Sequence, residues 1–218
     1  MRLFYGRRSS RKVNLDEIKD LKNFEFFLNS ENLETRIREI KNSYDTFNLE
    51  IGFGSGDNIL HQAVVRSRDC FLACDPFLNG GIKLKKKIQK LNLKNIFLTD
   101  VDFLSFYEYI KEIKFQTIYI LFPDPWPKKK HKKRRLINSK FTNLLSNISK
   151  PGSSLIISTD HEDYLNQILY CFFLQKEFNF SIKLRDESLK DQFSIKPTKY
   201  YLKAQDKKKK TYYLLFQK

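Results

Sequence analysis

The sequence is poor in cysteine and has no long apolar run, and each shortage excludes a class of protein. Three cysteines among 218 residues do not form the paired framework of a disulfide-rich secreted domain. Cys70 and Cys74 lie close together, but no nearby histidine or second cysteine pair completes a zinc site. No apolar stretch approaches the roughly 20 residues that span a bilayer, and the basic N-terminus lacks the apolar region of a signal peptide. We therefore expect a soluble, cytoplasmic protein with reduced thiols and no membrane partner.

Positive charge is what the sequence has in excess. Lys and Arg number 41 against 25 acidic residues, which gives a formal net charge of +16. Such an excess is typical of proteins that bind nucleic acid, although composition alone can also make a chain basic. The charge is concentrated at residues 128–135 and 207–210, and residues 1–14 hold five Lys or Arg and no acid. Clustering favours nucleic acid as the partner.

Short apolar runs alternate with helical patterns from residue 48 onward. Strands are predicted at 48–52, 69–75, 95–98, 118–122, 154–158, 178–184 and 211–216, and helices at 57–65, 80–91, 103–113, 138–148 and 161–175. This alternation is typical of an α/β fold, with a mostly parallel sheet covered by helices on both faces. Because no helix is predicted between the last two of the seven strands, they should form an antiparallel edge.

The remaining segments set the expected domain organisation. Residues 1–47 predict a basic arm followed by a helical lead-in and a linker, and residues 48–218 predict one domain of a size that buries a full core. Within that domain, Lys150-Pro-Gly predicts a turn. Residues 185–210 predict a polar insert without a helix of its own.

A glycine-rich turn follows the first predicted strand. Gly52, Gly54 and Gly56 lie between that strand and a helix, where glycine lets the backbone turn tightly and approach a ligand. A dinucleotide site would require Gly-x-Gly-x-x-Gly, and Asp57 at the start of the helix would repel a pyrophosphate. The pattern therefore disfavours a nicotinamide cofactor.

Four successive predicted strands end at or near an acid, namely Glu50, Asp75, Asp100 and Asp124. Glu50 suits a ligand with a cationic amino group. Asp75 is placed where a carboxylate can accept hydrogen bonds from both ribose hydroxyls. Asp100, or alternatively Asp102, can hold an adenine amino group. One such acid would more commonly be a helix cap, but four in series with a glycine loop predict S-adenosyl-L-methionine as the cofactor.

Residues 121–137 join the last of these acids to a dense basic run. Phe122, Asp124 and Trp126 each precede a proline, which predicts a stiff, extended loop at the end of a buried strand. Seven cationic side chains follow within eight residues, 128–135. Two interpretations of Trp126 stay open: a core aromatic that supports the loop, which we favour, or a ring that stacks on a substrate base.

These motifs together resemble the bacterial tRNA (guanine-N7-)-methyltransferases. The resemblance covers residues from about 48 to the C-terminus and rests on the glycine loop, the Phe-Pro-Asp-Pro-Trp-Pro-Lys-Lys-x-His-x-Lys-Arg-Arg run, residues 158–164 and residues 196–200. The proline–tryptophan run followed by basic residues is highly specific. The resemblance implies a Rossmann-like class I methyltransferase fold, S-adenosyl-L-methionine as methyl donor and tRNA as partner. The implied product is 7-methylguanosine at the variable-loop guanine, guanine 46.

The resemblance also implies roles for individual residues. Asp124 matches a catalytic residue that also contacts the cofactor. The implied cofactor contacts are Glu50, Gly52, Gly54, Gly56, Asp75, Asp100 and Asp124. The implied substrate contacts are Lys128, Asp160, Thr198, Lys199, Tyr200 and Tyr201, and no metal is implied. Two positions depart from the family pattern, because Asp75 and Tyr201 stand where Glu is usual; position 201 therefore has no carboxylate to make a contact.

The chemistry expected at this site needs little acid–base help. Guanine N7 carries an exposed lone pair, so the rate should come mainly from aligning N7, the methyl carbon and the sulfur. We expect Asp124 and Asp160 to accept the N1–H and N2–H of the base, and the residues from Lys128 to Arg135 to neutralise phosphates. Asp160 can instead be a helix N-cap. The rival functions are a non-catalytic RNA-binding module and an amino-group methyltransferase, which Asp-Pro-Trp-Pro superficially suits.

Overall fold

A computed structural model describes residues 9, 13–181 and 193–218 of the chain. Its elements before residue 114 are α1 (Leu15–Lys22), α2 (Leu33–Ser43), β1 (Phe47–Ile51), α3 (Asp57–Val65), β2 (Cys70–Cys74), α4 (Leu78–Lys90), β3 (Ile96–Thr99) and α5 (Phe103–Ile110). Those that follow are β4 (Phe115–Leu121), a 3-10 helix (Lys129–Arg134), α6 (Ser139–Ile148), β5 (Ser149–Thr159), α7 (Glu162–Leu174), β6 (Asn179–Ser181), α8 (Lys199–Asp206) and β7 (Tyr212–Gln217).

The strands form a seven-stranded, mostly parallel sheet with an antiparallel edge. The chain divides into two compact units, Met1–Ile113 and Lys114–Lys218. The first holds the parallel strands β3-β2-β1 in that order, and the second holds β4-β5-β7-β6, in which β7 runs antiparallel to both of its neighbours. The predicted fold class is confirmed.

In the first unit, every residue of β1, β2 and β3 is buried. The apolar runs of β2 and β3 are typical of strands covered on both faces, whereas β1 also buries two polar residues, Asn48 and Glu50.

The segment 26–28, which the sequence predicts as part of a helical lead-in and linker, makes backbone hydrogen bonds to β3. The amide of Leu28 donates to the carbonyl of Leu98 at 2.8 Å, and the amide of Leu98 donates to the carbonyl of Phe26 at 3.0 Å. Phe27, between them, is 1% exposed. This segment therefore pairs along β3, the outer strand of this unit, and covers its edge.

In the second unit, two segments differ from the prediction. The expected turn at Lys150-Pro-Gly lies inside β5, where Gly152 has a φ of 76°. The register of β5 against β4 shifts between Phe115 and Thr117, so the turn-forming sequence makes a bulge rather than a chain reversal. Residues 182–184 of the predicted strand at 178–184 and residues 185–192 of the expected polar insert lie outside the described residues. Residues 199–206 form α8, which the sequence pattern did not predict.

A cluster of buried side chains lies under the end of β4 and the start of the proline-rich loop. It comprises Tyr119, Leu121, Phe122, Ile156, Ile195, Tyr201, Tyr213 and Leu215. The Phe122 ring meets the Tyr213 ring edge-on, with centroids 6.1 Å apart. The loop therefore begins from a packed base. All three cysteines are buried and free, and none of the helices in the described ranges is long and apolar enough to cross a membrane.

Candidate active site

The glycine loop of the first unit has the backbone that its sequence predicts. Gly52, Gly54 and Gly56 all have positive φ, at 78°, 54° and 71°. Gly56 is the N-cap of α3, and a Cβ added there would lie 2.7 Å from the Leu84 side chain. Larger residues are thus excluded by conformation and, at Gly56, also by space. The loop presents backbone rather than side chains at the carboxyl end of β1.

Asp75 fixes this loop from the end of β2. One carboxylate oxygen accepts from the Gly54 amide at 2.8 Å, and the other accepts from the Phe77 amide at 2.9 Å. Asp75 therefore orders the loop, and it lies just past the end of β2, where the sequence predicts the ribose contact.

Glu50 is a buried acid without a cationic partner among the described residues. Its side chain is enclosed (1% exposed) and accepts a hydrogen bond from Asn58 Nδ2 at 3.0 Å. Its pKa is raised from the ordinary 4.5 to about 8. Burial is the largest cause, and the nearby Asp57 and Asp75 act in the same direction, while the Asn58 hydrogen bond opposes the shift. A cation that a ligand brings would stabilise the ionised form of such a carboxyl. It fits the predicted contact to a cationic amino group.

The structure separates the two alternatives at the end of β3. Asp102 is the N-cap of α5: it accepts from the amides of Leu104 and Ser105 at 3.1 and 3.2 Å and from the Ser105 hydroxyl at 2.9 Å. Asp100 makes no such capping bonds and lies half-buried just past the strand. Asp100 is therefore the better candidate for an adenine contact.

Lys87 on α4 is a supporting residue that sequence reasoning missed. Its Nζ donates to the Ser55 carbonyl at 3.2 Å and forms an ion pair with Asp57, which also accepts from the Ser55 hydroxyl. Asp57, which argued against a pyrophosphate, is thus part of the loop's own support. In the sequence, Lys87 is one of several lysines of α4 and looks like the others. Only its contacts with Ser55 and Asp57 distinguish it.

In the second unit, the proline-rich loop is stiff but not simply extended. Phe122 and Trp126 have φ of 54° and 42°, so the prediction of an extended backbone is wrong at these two positions. A following proline disfavours the right-handed helical region but leaves the left-handed one open. The Phe122 amide is held by the carbonyl and the hydroxyl of Ser158, at 3.0 and 3.2 Å. Between these turns, Asp124 reaches solvent, and partial desolvation by the surrounding protein raises its pKa.

Trp126 is half-buried against the basic run. The Arg134 guanidinium carbon lies 5.0 Å from the centre of its ring, and the His131 ring meets it edge-on at 5.8 Å. These contacts are of the kind that stabilises an aromatic ring beside cations. They favour the interpretation of Trp126 as a residue that supports the loop.

The basic run divides into outward and inward side chains. Lys128, Lys129, Lys130 and Lys133 are exposed and have no carboxylate partner within the described ranges. Lys132 pairs with Asp163 at 2.7 Å. Arg135 is buried, with 3% of its surface exposed. The expectation that the whole run neutralises phosphates is therefore wrong at Arg135, because phosphate cannot reach a buried guanidinium.

Asp160 lies at the end of β5 and is paired with Lys209 at 2.9 Å. It is not the N-cap of α7, since that position belongs to His161. The N-cap alternative for Asp160 is thus wrong. The ion pair is made through Oδ2 of Asp160, and because a carboxylate can accept several hydrogen bonds, it is compatible with an accepting role toward a base.

The four residues of the predicted contact Thr198–Tyr201 face different surroundings. Thr198 is the N-cap of α8 and accepts from the Tyr201 amide at 3.2 Å. Lys199 and Tyr200 are exposed. Tyr201 is 9% exposed and lies in the cluster with Phe122. The structure therefore corrects the prediction at Tyr201, which packs under the loop rather than facing a substrate.

Comparison with known proteins shows the family of this chain. The family model described as "Putative methyltransferase" matches residues 45–214. A tRNA (guanine-N(7)-)-methyltransferase of Wolbachia pipientis wMel is 37% identical over 75% of this chain and 72% of its own length. One from Agrobacterium fabrum (strain C58) is 28% identical over 98% of this chain and 94% of its own.

The structural similarity extends to more distant methyltransferases. The crystal structure of the 16S rRNA methyltransferase KamB superposes with a TM-score of 0.62 and 11% identity, over 84% of this chain and 93% of that one. At that identity, the similarity shows the fold alone. The sequence matches carry the closer assignment: the chain belongs to the tRNA (guanine-N(7)-)-methyltransferase family.

Proposed function

We propose that this protein transfers the methyl group of S-adenosyl-L-methionine to N7 of the variable-loop guanine of tRNA, guanine 46, and so makes 7-methylguanosine. The observation that carries the proposal is the loop around Asp124. It holds an acid without a cationic partner among the described residues on a stiff backbone, directly before four exposed lysines. The relatives named for this reaction support it.

In this proposal, the first unit binds the methyl donor. Glu50 accepts from the amino group, Asp75 accepts from the ribose hydroxyls and Asp100 accepts from the adenine amino group, while the glycine loop lets backbone approach the ligand. The bound cofactor supplies a methyl group on a positively charged sulfur. The part assigned to Glu50 is supported by its burial without a cationic partner in the described part of the chain, because a cationic ligand would stabilise the ionised carboxylate.

The second unit then holds the acceptor base. N7 needs no deprotonation, since its lone pair is free to form the bond to carbon as the carbon–sulfur bond breaks. Asp124 and Asp160 accept from N1–H and N2–H and offset the positive charge that develops on the purine. Lys209, which pairs with Oδ2 of Asp160, can exchange this partner for a phosphate and leave both carboxylate oxygens to the base.

The exposed lysines after the loop hold the RNA backbone. Lys128, Lys129, Lys130 and Lys133 neutralise phosphates. Lys199 and the exposed Tyr200, which has Lys203 over its ring at 5.7 Å, extend this contact from α8. The cytoplasmic location expected from the sequence stays a prediction.

Mapping the methylated atom tests the function. Unmodified tRNA transcript is incubated with the protein and methyl-labelled cofactor, then digested to nucleosides that are separated and identified. We expect label in 7-methylguanosine and loss of the signal when the variable-loop guanine is replaced by adenine. Label on an exocyclic amine would instead identify an amino-group methyltransferase. Tight tRNA binding without transfer would identify an RNA-binding module.

A further inference from the structure

Arg135 ends the basic run, and its side chain turns inward. We propose that Arg135 is a positioning residue that fixes Asp124 relative to Asp160, and not a phosphate contact. The inference rests on the proposed function, because it concerns how the two acids that would hold the guanine are kept in place. It assigns a role to a residue that sequence reasoning grouped with the phosphate-binding lysines.

The guanidinium of Arg135 joins two separate segments of the second unit. Its Nε donates to the carbonyl of Pro125 at 2.8 Å. Its Nη2 donates to Asp163 Oδ2 at 2.5 Å, and its Nη1 donates to Gln167 Oε1 at 2.9 Å and to the Asp163 carbonyl at 3.4 Å. The flat face lies 4.9 Å from the centre of the Tyr164 ring. One side chain thus connects the proline-rich loop to the first turns of α7.

Each end of this connection lies next to one of the two acids. Pro125 directly follows Asp124, and its locked φ restricts where its carbonyl carbon can lie relative to the Asp124 backbone. Asp163 lies in the first turn of α7, three residues after Asp160. Because a helix turn is rigid, holding Asp163 also holds the direction in which the chain leaves Asp160. The Arg135 side chain therefore sets the separation of the two carboxylate-bearing segments.

Other side chains keep α7 and the end of the basic run in the same arrangement. The Ile137 amide donates to the buried Tyr164 hydroxyl at 3.0 Å, and Gln167 Nε2 donates to the Ile137 carbonyl at 2.8 Å. Gln167 therefore contacts both Arg135 and the residue two positions beyond it. These bonds hold Ile137 against α7 and so restrict the backbone two residues earlier, at Arg135, from which the guanidinium extends.

The environment of Arg135 is that of a structural cation rather than an RNA contact. Its side chain is 1% exposed, and a buried charge needs a close partner to offset its lost hydration. Asp163 supplies that partner: hydrogen bonds from Lys132 and Arg135 lower the Asp163 pKa to about 2. A planar guanidinium makes several directed bonds at once, which a lysine ammonium cannot reproduce from the same place.

Three variants separate positioning from phosphate binding. Arg135→Lys keeps the charge but loses the planar fork. Asp163→Ala removes the anchor on α7 and makes the protein more positive. Lys133→Gln is the matched control, since it removes a neighbouring cation that is exposed. Each is compared with wild type for kcat and KM on tRNA, for the slope of tRNA affinity against salt, and for quenching of fluorescence from Trp126, the chain's only tryptophan.

We expect Arg135→Lys to lower kcat about 100-fold, the loss associated with a misplacement of about 1 Å. Its KM for tRNA and its salt slope should stay close to wild type, and Trp126 should become easier to quench. Asp163→Ala should lower kcat about 10-fold. A phosphate contact predicts the reverse for Asp163→Ala, namely tighter tRNA binding with unchanged kcat. Lys133→Gln should raise KM and flatten the slope by about 0.7 to 0.9, with quenching unchanged.

The inference is overturned if Arg135→Lys flattens the salt slope while kcat holds, or if kcat and Trp126 quenching both stay at wild-type values. Thermal unfolding of each variant identifies any that fails to fold, and Asp163→Ala, at a more exposed position, then carries the test. A wild-type protein that does not methylate guanine N7 would instead contradict the proposed function. In that case, Trp126 quenching still decides whether Arg135 holds the loop.

Discussion

Gly80 on α4 packs directly against the Gly54 carbonyl of the glycine loop: a Cβ built on Gly80 would lie 1.8 Å from the Gly54 oxygen. No side chain fits there unless the loop moves. The next residue, Gly81, differs. A Cβ on it would meet the end of the Leu21 side chain at 3.1 Å, and a flexible side chain can give way. Substituting Ala at each of these two positions therefore distinguishes the effect of displacing the glycine loop from the effect of a higher helix propensity.

Gly80→Ala should weaken binding of S-adenosyl-L-methionine at least tenfold, which corresponds to about 1.4 kcal/mol. In a helix interior, Gly→Ala normally stabilises by about 0.5–1 kcal/mol, so a loss of binding has to come from the displaced loop. Gly81→Ala is the control and should bind within about threefold of wild type. Equilibrium dialysis with labelled cofactor measures both. Equal affinities for the two variants would show that the Gly80 contact does not matter to the site.

Glu50 should make the ligand-free protein less stable as pH rises. Its pKa is raised from the ordinary 4.5 to about 8, so between these values the folded state binds a proton that the unfolded state has lost. Stability is then highest at the acidic end and falls toward pH 8, by at most about 1.4 kcal/mol per pH unit. Glu50→Gln should flatten this dependence, because the amide cannot ionise.

Urea unfolding at pH 5.5, 6.5 and 7.5 measures the Glu50 effect without cofactor. The matched control is Glu31→Gln, which changes a carboxyl that is exposed in the same unit and should leave the pH dependence of wild type unchanged. If Glu50→Gln and wild type lose stability in parallel over this range, Glu50 is not the group that binds the proton.

Local sequence patterns predicted the elements whose burial is uniform. The strand β2 is buried at every residue, so its apolar run is unbroken, and α3 begins where the glycine loop ends. The helix α8 was missed because only Tyr201 and Ala204 of its residues are buried, which leaves too little apolar periodicity to detect. The positive φ of Phe122 and Trp126 depends on packing that a proline pattern does not contain.

The same reasoning explains which site residues could be predicted. Glu50 and Asp75 lie at strand ends, where position in the fold follows from order along the chain. The inward orientation of Arg135 could not be predicted, because the sequence of a cationic run does not show which of its side chains is buried. The partner Asp163 lies 28 residues away along the chain. The one local sign is that Arg135 comes directly before Leu136 and Ile137, where the chain turns back into the core.

The exposed lysines after the proline-rich loop should set the salt dependence of tRNA binding. Replacing Lys128, Lys129, Lys130 and Lys133 with Gln should make the slope of log affinity against log salt less steep by about 3, at about 0.7 to 0.9 for each phosphate that is no longer neutralised. The control replaces the exposed lysines Lys83, Lys90, Lys140 and Lys150 and removes the same charge elsewhere. Filter binding over a range of salt measures both. An equal change in the control would mean that net charge, not this surface, drives binding.

Asp124→Asn tests the acid at the centre of the loop. The amide keeps the size of the carboxylate but loses its charge, so it cannot offset the charge that develops on the base. We expect kcat to fall about 100-fold or more, as for loss of a group that stabilises developing charge, while tRNA affinity changes little because phosphate contacts dominate it. The exposed acid Asp206 gives the control Asp206→Asn, which should keep wild-type kcat.

Partial desolvation raises the pKa of Asp124. As pH is lowered, wild-type activity should therefore begin to fall before the pH reaches the ordinary aspartate range, because the carboxylate becomes protonated. That step should be missing from the residual activity of Asp124→Asn. Single-turnover transfer of labelled methyl across pH measures it, and near-normal turnover by the variant would rule out the role proposed for Asp124.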